Sequence, residues 1–176
     1  MIKRNSLVKV HLYASGFFAP FLLIMAITGT FYLLDIKGSE ERVFVKELLL
    51  ENKPDEVIVK NVLAKVEPGY DFAYLKSAGT RVFTRPTTRA YYSFEKENDI
   101  YKLYKIKPNI LRTLIEVHKG HGPKAMRIFE ILLGIALLTI LITGVWIGIM
   151  TARDKKVTLI TMGAGAASFL IILLFL

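Results

Sequence analysis

The chain has 176 residues, no cysteine and a formal net charge of +9, and 53% of its residues are hydrophobic. The mean hydropathy of +0.42 excludes an ordinary soluble domain, and the missing cysteines exclude thiolate chemistry and a disulfide-dependent fold. The positive charge suits anionic lipid headgroups or an anionic small molecule, or plain solvation, and we expect no nucleic-acid partner.

Three apolar stretches are long enough to cross a bilayer as helices: 10–34, 125–150 and 157–176. A helix needs about 20 apolar residues to span the hydrocarbon core. The first stretch is longer than the core of a signal peptide, and no small-residue cleavage site follows it. We therefore interpret it as a retained membrane anchor.

Basic residues beside the spans predict their orientation. Short loops rich in lysine and arginine face the cytoplasm. The basic flanks here are Lys3, Arg4 and Lys9 before the first span, and Arg153, Lys155 and Lys156 between the second and third. Residues 1–35 should thus form a cytoplasmic N-terminus and the first helix, and 151–156 a cytoplasmic loop. The segment 36–124 and the C-terminus should then lie outside.

The segment 36–108 has the pattern of a small α+β domain. A strand is expected at 43–50, followed by a helix with Pro54 at its first position and acidic residues in its first turn. The apolar face of that helix is Ile58, Val62, Leu63 and Val66, and Pro68-Gly69 ends it. Four β-like runs follow, at 71–76, 81–84, 90–94 and 100–106. The segment carries no catalytic triad, paired-acid site or phosphate loop.

Residues 109–124 link this domain to the second span. Apolar residues of 109–119 fall on one side of a helix, while Arg112, Glu116 and Lys119 fall on the other. This pattern predicts an amphipathic helix at the membrane surface. The glycines that follow break the helix, so His118 and His121 should lie at the outer interface.

The only histidines are His11, His118 and His121, each beside an apolar span. The iron of a b-type haem takes axial imidazoles inside a hydrophobic cleft, so all three are candidate haem ligands. His11 is otherwise an interfacial histidine, and His118 an ordinary residue of an amphipathic helix. His121 is otherwise part of an outer substrate or metal site.

Other residues near these histidines have two interpretations each. The pairs Thr28-Gly29 and Thr143-Gly144 let a helix approach a flat cofactor closely, although plain helix packing is the commoner use of such pairs. Lys124 and Arg127 are candidates for holding a haem propionate. The alternative for Arg127 is an i,i+3 ion pair with Glu130.

Two histidine-containing runs resemble the PepSY-associated transmembrane family. The first is Val10-His11-Leu12 through Ser15-Gly16 to Ile27-Thr28-Gly29. The second comprises Val117-His118-Lys119-Gly120, Arg127, Gly134 and Ile142-Thr143-Gly144-Val145-Trp146. The domain between them is similar to a PepSY domain.

The resemblance implies a bacterial inner-membrane protein of iron acquisition, with a PepSY-like domain outside. Larger members of the family are haem-containing reductases that release iron from ferric siderophores. The expected fold is therefore a membrane protein with three transmembrane helices and a small α+β PepSY-like domain between helices 1 and 2. This chain has one PepSY-like unit and half the usual helices, so a complete site would need two copies.

Helix geometry predicts how the histidines are used. About 25 residues of the first span separate His11 from His118, or roughly 35 Å at the rise of an α-helix, so one iron cannot bind both. His118 and His121 are too close in sequence to approach a porphyrin from opposite faces. A six-coordinate haem then needs an imidazole from a second chain, which a two-fold homodimer supplies.

The leading hypothesis is a homodimeric ferric reductase with haem b, reducing Fe(III) or a ferric chelate outside. No flavin or nicotinamide motif is present, so electrons should come from a quinol or a cytoplasmic reductase. The alternatives are a non-catalytic membrane protein whose PepSY-like domain binds or regulates a partner, and a metal-binding accessory to an iron transporter.

Overall fold

The computed structural model describes residues 4–50 and 52–176, so Lys3 of the first basic flank lies outside the described residues. The chain divides into two compact units, one formed by residues up to Leu23 with Leu132–Leu176, the other by Ile24–Ile131. The elements in chain order are α1 Arg4–Leu33, β1 Glu40–Leu48, α2 Glu56–Val66, β2 Tyr74–Ala78, β3 Arg81–Arg85, β4 Tyr91–Glu97, β5 Ile100–Pro108, α3 Ile110–His118, α4 Lys124–Met150 and α5 Lys155–Leu174.

Three helices, α1, α4 and α5, are long and apolar enough to cross a membrane. They contain 30, 27 and 20 residues, which is enough to span the hydrocarbon core of a bilayer. Most of their large apolar side chains are exposed, as expected for surfaces that contact lipid. The three predicted spans are confirmed as helices, and their orientation stays a prediction.

The sheet domain lies between α1 and α3 in the sequence. Its five strands are antiparallel in the order β1-β5-β4-β3-β2. The predicted strands are confirmed with shifted ends: the first begins at Glu40, and the run predicted at 71–76 forms a strand only from Tyr74. The buried core comprises Val59, Leu63, Phe72, Val82, Tyr92, Phe94, Tyr101 and Leu103.

The start of α2 differs from the prediction. Asp55 is the N-cap, and its carboxylate accepts a hydrogen bond from Ile58 N at 2.8 Å. Pro54 therefore precedes the N-cap and is not the first helical residue, because a short acidic side chain satisfies the free N–H groups of the first turn. The buried residues of the helix are Val59 and Leu63. The predicted apolar face included Leu63 but not Val59.

The helix α3 corrects a second expectation. Glu116, expected on the solvent-facing side, is only 3% exposed, and the adjacent Ile115 is fully buried. Ile110, from the predicted apolar face, is 80% exposed. The reason is that α3 packs on the sheet domain, whose polar side chains satisfy the Glu116 carboxylate.

Candidate functional site

His11 lies in the first unit, and its imidazole has a fixed orientation. Its Nδ1 lies 3.1 Å from Ile140 O and 3.0 Å from Thr143 Oγ1. The Thr143 hydroxyl donates its one proton to Thr139 O at 2.6 Å, within its own helix. Both neighbours of Nδ1 are thus acceptors, so Nδ1 is the donor, and the neutral tautomer with this contact has its lone pair on Nε2.

His118 lies in the second unit and repeats this arrangement. Its Nδ1 lies 3.4 Å from Thr28 Oγ1, and the Thr28 hydroxyl donates to Ile24 O at 2.8 Å. Thr28 is 2% exposed, whereas His118 is an exposed residue. The hydroxyl again offers only a lone pair, and the favoured tautomer of His118 again has Nε2 free of its proton.

The glycine after each threonine makes room for the imidazole. A methyl group built on Gly29 would lie 3.0 Å from His118 Cε1, and one on Gly144 would lie 3.2 Å from His11 Cε1. We call these groups the His11 cluster (His11, Thr143, Gly144) and the His118 cluster (His118, Thr28, Gly29). The two Thr-Gly pairs therefore contact imidazoles. Thr28-Gly29 of α1 contacts His118, and Thr143-Gly144 of α4 contacts His11.

His121 has a different environment from His118. Its Nδ1 hydrogen-bonds Glu116 Oε2 at 2.7 Å, and its side chain is 27% exposed. Burial lowers the pKa of His121, although the Glu116 carboxylate opposes the shift. The histidines of this segment thus engage different partners, His118 the first span and His121 the carboxylate of α3.

Glu116 is the centre of a buried charged network. Its Oε2 accepts hydrogen bonds from Thr87 Oγ1 at 2.6 Å and Arg85 Nη1 at 3.3 Å. Its Oε1 lies 3.1 Å from Lys119 Nζ and 3.5 Å from Arg112 Nη2. Burial alone would raise the pKa of Glu116, but the hydrogen bonds from its neighbours outweigh burial and lower the pKa to about 2.

Sequence reasoning missed this network. The i,i+4 and i,i+3 spacing of Arg112, Glu116 and Lys119 was a usable signal for a charge cluster on one helix. No local signal pointed to Arg85, the last residue of β3, or to Thr87, which follows that strand, because both are about 30 residues away in sequence.

The candidate propionate-binding cations lie at the start of α4. Lys124 and Arg127 are both exposed, and Arg127 Nη2 donates to Gly120 O at 3.4 Å. The ion pair considered for Arg127 and Glu130 does not form within the described part of the chain. Glu130 Oε1 is instead buried without a hydrogen-bond partner among these residues. Arg127 and Lys124 can therefore direct N–H donors at an anion.

The two clusters fit a haem as far as donor chemistry goes. An imidazole that binds iron through Nε2 ordinarily donates its other N–H to a carbonyl or similar acceptor, as His11 and His118 do. Across residues 4–50 and 52–176, no group of three or more His, Asp or Glu side chains could hold a metal ion alone. A haem iron needs only one imidazole on each face, because the porphyrin supplies its other four nitrogen donors.

Comparison with known protein families gives a match over most of the chain. A family model described as the PepSY-associated TM region matches residues 8–171. This confirms the resemblance drawn from the two histidine-containing runs. No curated protein and no solved structure matches the chain.

Proposed function

Because the chain belongs to the PepSY-associated TM region family, we propose that it is a haem-dependent ferric reductase of the bacterial inner membrane. It would pass electrons across the membrane to Fe(III) or a ferric chelate outside, and so supply Fe(II) for uptake. The observation that carries the proposal is the pair of imidazoles whose Nδ1 contacts leave Nε2 available to iron.

Each candidate residue has a role in this proposal. His118 and His11 would hold haem iron, and Lys124 or Arg127 would hold a propionate. His121 is the third candidate ligand, with its Nδ1 held by the Glu116 carboxylate and not by a threonine of a span. Haem b, when bound, supplies reversible one-electron transfer, while the protein fixes the orientation of the imidazoles.

The proposal requires a homodimer. Each cluster offers one imidazole with a free Nε2, whereas a six-coordinate haem takes two from opposite faces. A two-fold axis brings the same residue from a second copy to the other face. The electron donor would be a quinol in the membrane or a cytoplasmic reductase.

The test is the haem content of the purified chain. Protein made with an adequate haem supply should show a Soret band that shifts on reduction by dithionite, and a pyridine haemochrome assay should give the haem-to-protein ratio. Fe(II) production from a ferric chelate is then followed with ferrozine. A colourless protein that remains colourless after haem addition would contradict the proposal and favour the non-catalytic, partner-binding alternative.

A further inference from the structure

The helix α3 is held from two sides. Glu116 and His118 are two residues apart, which is about 200° around a helix, so their side chains leave it in nearly opposite directions. Glu116 meets Arg85 and Thr87 of the sheet domain. His118 meets Thr28 and Gly29 of α1. The position of the imidazole over α1 thus depends on how α3 is fixed to the sheet domain.

Glu116 also fixes the C-terminal end of α3. His121 N donates to Glu116 O at 2.9 Å, and Gly120, with a φ of 70°, allows the chain to turn there. The side chains of His121 and Glu116 form a second bond across this turn at 2.7 Å. Glu116 therefore anchors the last turn of the helix, which presents His118, through both its backbone and its side chain.

The cations around Glu116 require a negatively charged side chain at this position. The Glu116 side chain is 3% exposed and faces three cations, Arg85 and two on or just after α3. Arg85 is itself 8% exposed on its side chain, so neither partner is solvated by water. Removing one member of a buried ion pair leaves an uncompensated charge, which is strongly destabilising. The helix would then move to solvate these cations.

We propose that Glu116 is a positioning residue that sets the orientation of the His118 imidazole by fixing the end of α3 to the sheet domain. It touches neither iron nor substrate. The consequence for electron transfer rests on the proposed function, whereas the positioning itself concerns the protein alone. The experiment therefore has one arm without haem and one with it.

The haem-free arm uses the full chain in lipid nanodiscs with selectively ¹⁵N-labelled histidine. The chain has only three histidines, so the imidazole nitrogens can be assigned by single His→Ala variants. In the wild type, His118 should show a protonated Nδ1 and an unprotonated Nε2. Glu116→Gln should lose this single pattern for His118, giving a mixture of tautomers. His11 contacts other residues and should keep its pattern, which makes it an internal control.

Three further variants make the result decisive. Glu47→Gln alters an exposed carboxylate of β1 and should leave all three histidines unchanged. His121→Asn keeps a donor for Glu116 and should largely preserve the His118 pattern, whereas His121→Phe should disturb it. If Glu116→Gln does not fold, Thr87→Val keeps the carboxylate but removes the 2.6 Å hydrogen bond to Glu116 and the 2.7 Å hydrogen bond from Arg85, and it should shift His118 to a lesser degree. A folded Glu116→Gln or Thr87→Val protein with unchanged His118 resonances overturns the proposal.

The haem arm separates this proposal from the proposed function. Glu116→Gln should shift the reduction potential of one haem population and broaden its low-spin EPR signal, while Glu47→Gln should do neither. A changed His118 pattern in a protein that never binds haem would overturn the reductase proposal and leave the positioning role intact. If the protein binds haem, and Glu116→Gln changes neither the haem spectra nor the His118 pattern, the positioning role is overturned and the reductase proposal stands.

Discussion

At the scale of single residues, a threonine hydroxyl contacts Nδ1 of each of two imidazoles, His118 and His11. Thr28 and Thr143 give their protons to carbonyls of their own helices, so they can only accept from the histidines. Neither role is visible in the sequence, because the partners are 90 and 132 residues apart. The sequence identified the histidines and the Thr-Gly pairs, but not which pair serves which histidine.

Replacing Thr28 by Val should weaken haem binding at His118. Valine keeps the shape of threonine but removes the acceptor, which is the partner of His118 Nδ1. Loss of the hydrogen-bond partner of a metal-binding histidine ordinarily lowers metal affinity about 10- to 100-fold. Thr143→Val should have a smaller effect at His11, because Ile140 O still accepts from Nδ1. Haem titration of the apo-protein measures both, and equal losses would contradict this difference.

A methyl group at Gly29 should displace His118. The added carbon would lie 3.0 Å from His118 Cε1, so the ring has to shift. Overpacking of this kind costs about 1–3 kcal/mol. We expect Gly29→Ala to lower both the melting temperature and the haem content. Gly134→Ala is the matched control, since its methyl group meets nothing within 4 Å. Similar behaviour of the two variants would show that the close approach is unimportant.

At the scale of elements, the sequence predicted the helices and strands far better than their faces. Spans of about 20 apolar residues and runs of β-branched and aromatic residues are local signals, so α1, α4, α5 and the strands were found. The buried side of α3 was not found, because it depends on a sheet that supplies Arg85 and Thr87 from elsewhere in the chain. A charged residue on a helix is ordinarily solvated unless such distant partners exist.

The Glu116 network should make the fold sensitive to acid. The pKa of Glu116 falls from its ordinary 4.5 to about 2 on folding. A depressed pKa contributes stability that is fully present above pH 4.5 and is lost as the pH falls through 2. The contribution is roughly 3 kcal/mol, at about 1.4 kcal/mol per pKa unit. Chemical unfolding between about pH 6 and 2, followed by the near-UV circular dichroism of the domain's tyrosines, measures it.

Glu116→Gln provides the comparison for that measurement. The variant should be less stable near neutral pH but should lose less stability on acidification, because it has no proton to take up at this site. Parallel pH profiles for the two proteins would mean that Glu116 does not account for the acid sensitivity.

At the scale of the whole molecule, the orientation in the membrane is open to a direct test. The chain has no native cysteine, so single introduced cysteines report their own accessibility. Ser77→Cys places a thiol on the exposed β2 strand, and Asp154→Cys places one between α4 and α5. In intact cells with a permeable outer envelope, a membrane-impermeant maleimide should label the first variant and not the second. Labelling of the Asp154→Cys variant alone would reverse the predicted orientation.

The haem-loaded protein should be a dimer. The argument is that each cluster supplies one free Nε2, and a second copy supplies the other axial ligand. Light scattering of the red fraction in detergent should give twice the mass of the 19.9 kDa chain. Removing haem should release monomers, or weaken the dimer. A haem-replete monomer with two axial imidazoles would refute this arrangement.

The sheet order limits which surfaces could join two copies. Its free edges are β1 and β2, and strand edges are the places where sheets of neighbouring molecules fuse. Here β1 is interrupted by a bulge between Phe44 and Lys46, and β2 has only five residues, with Lys76 at its centre. Both are features that discourage edge-to-edge growth. A crowded membrane could therefore carry many copies without fibre formation, and pairing would fall to the lipid-embedded helices.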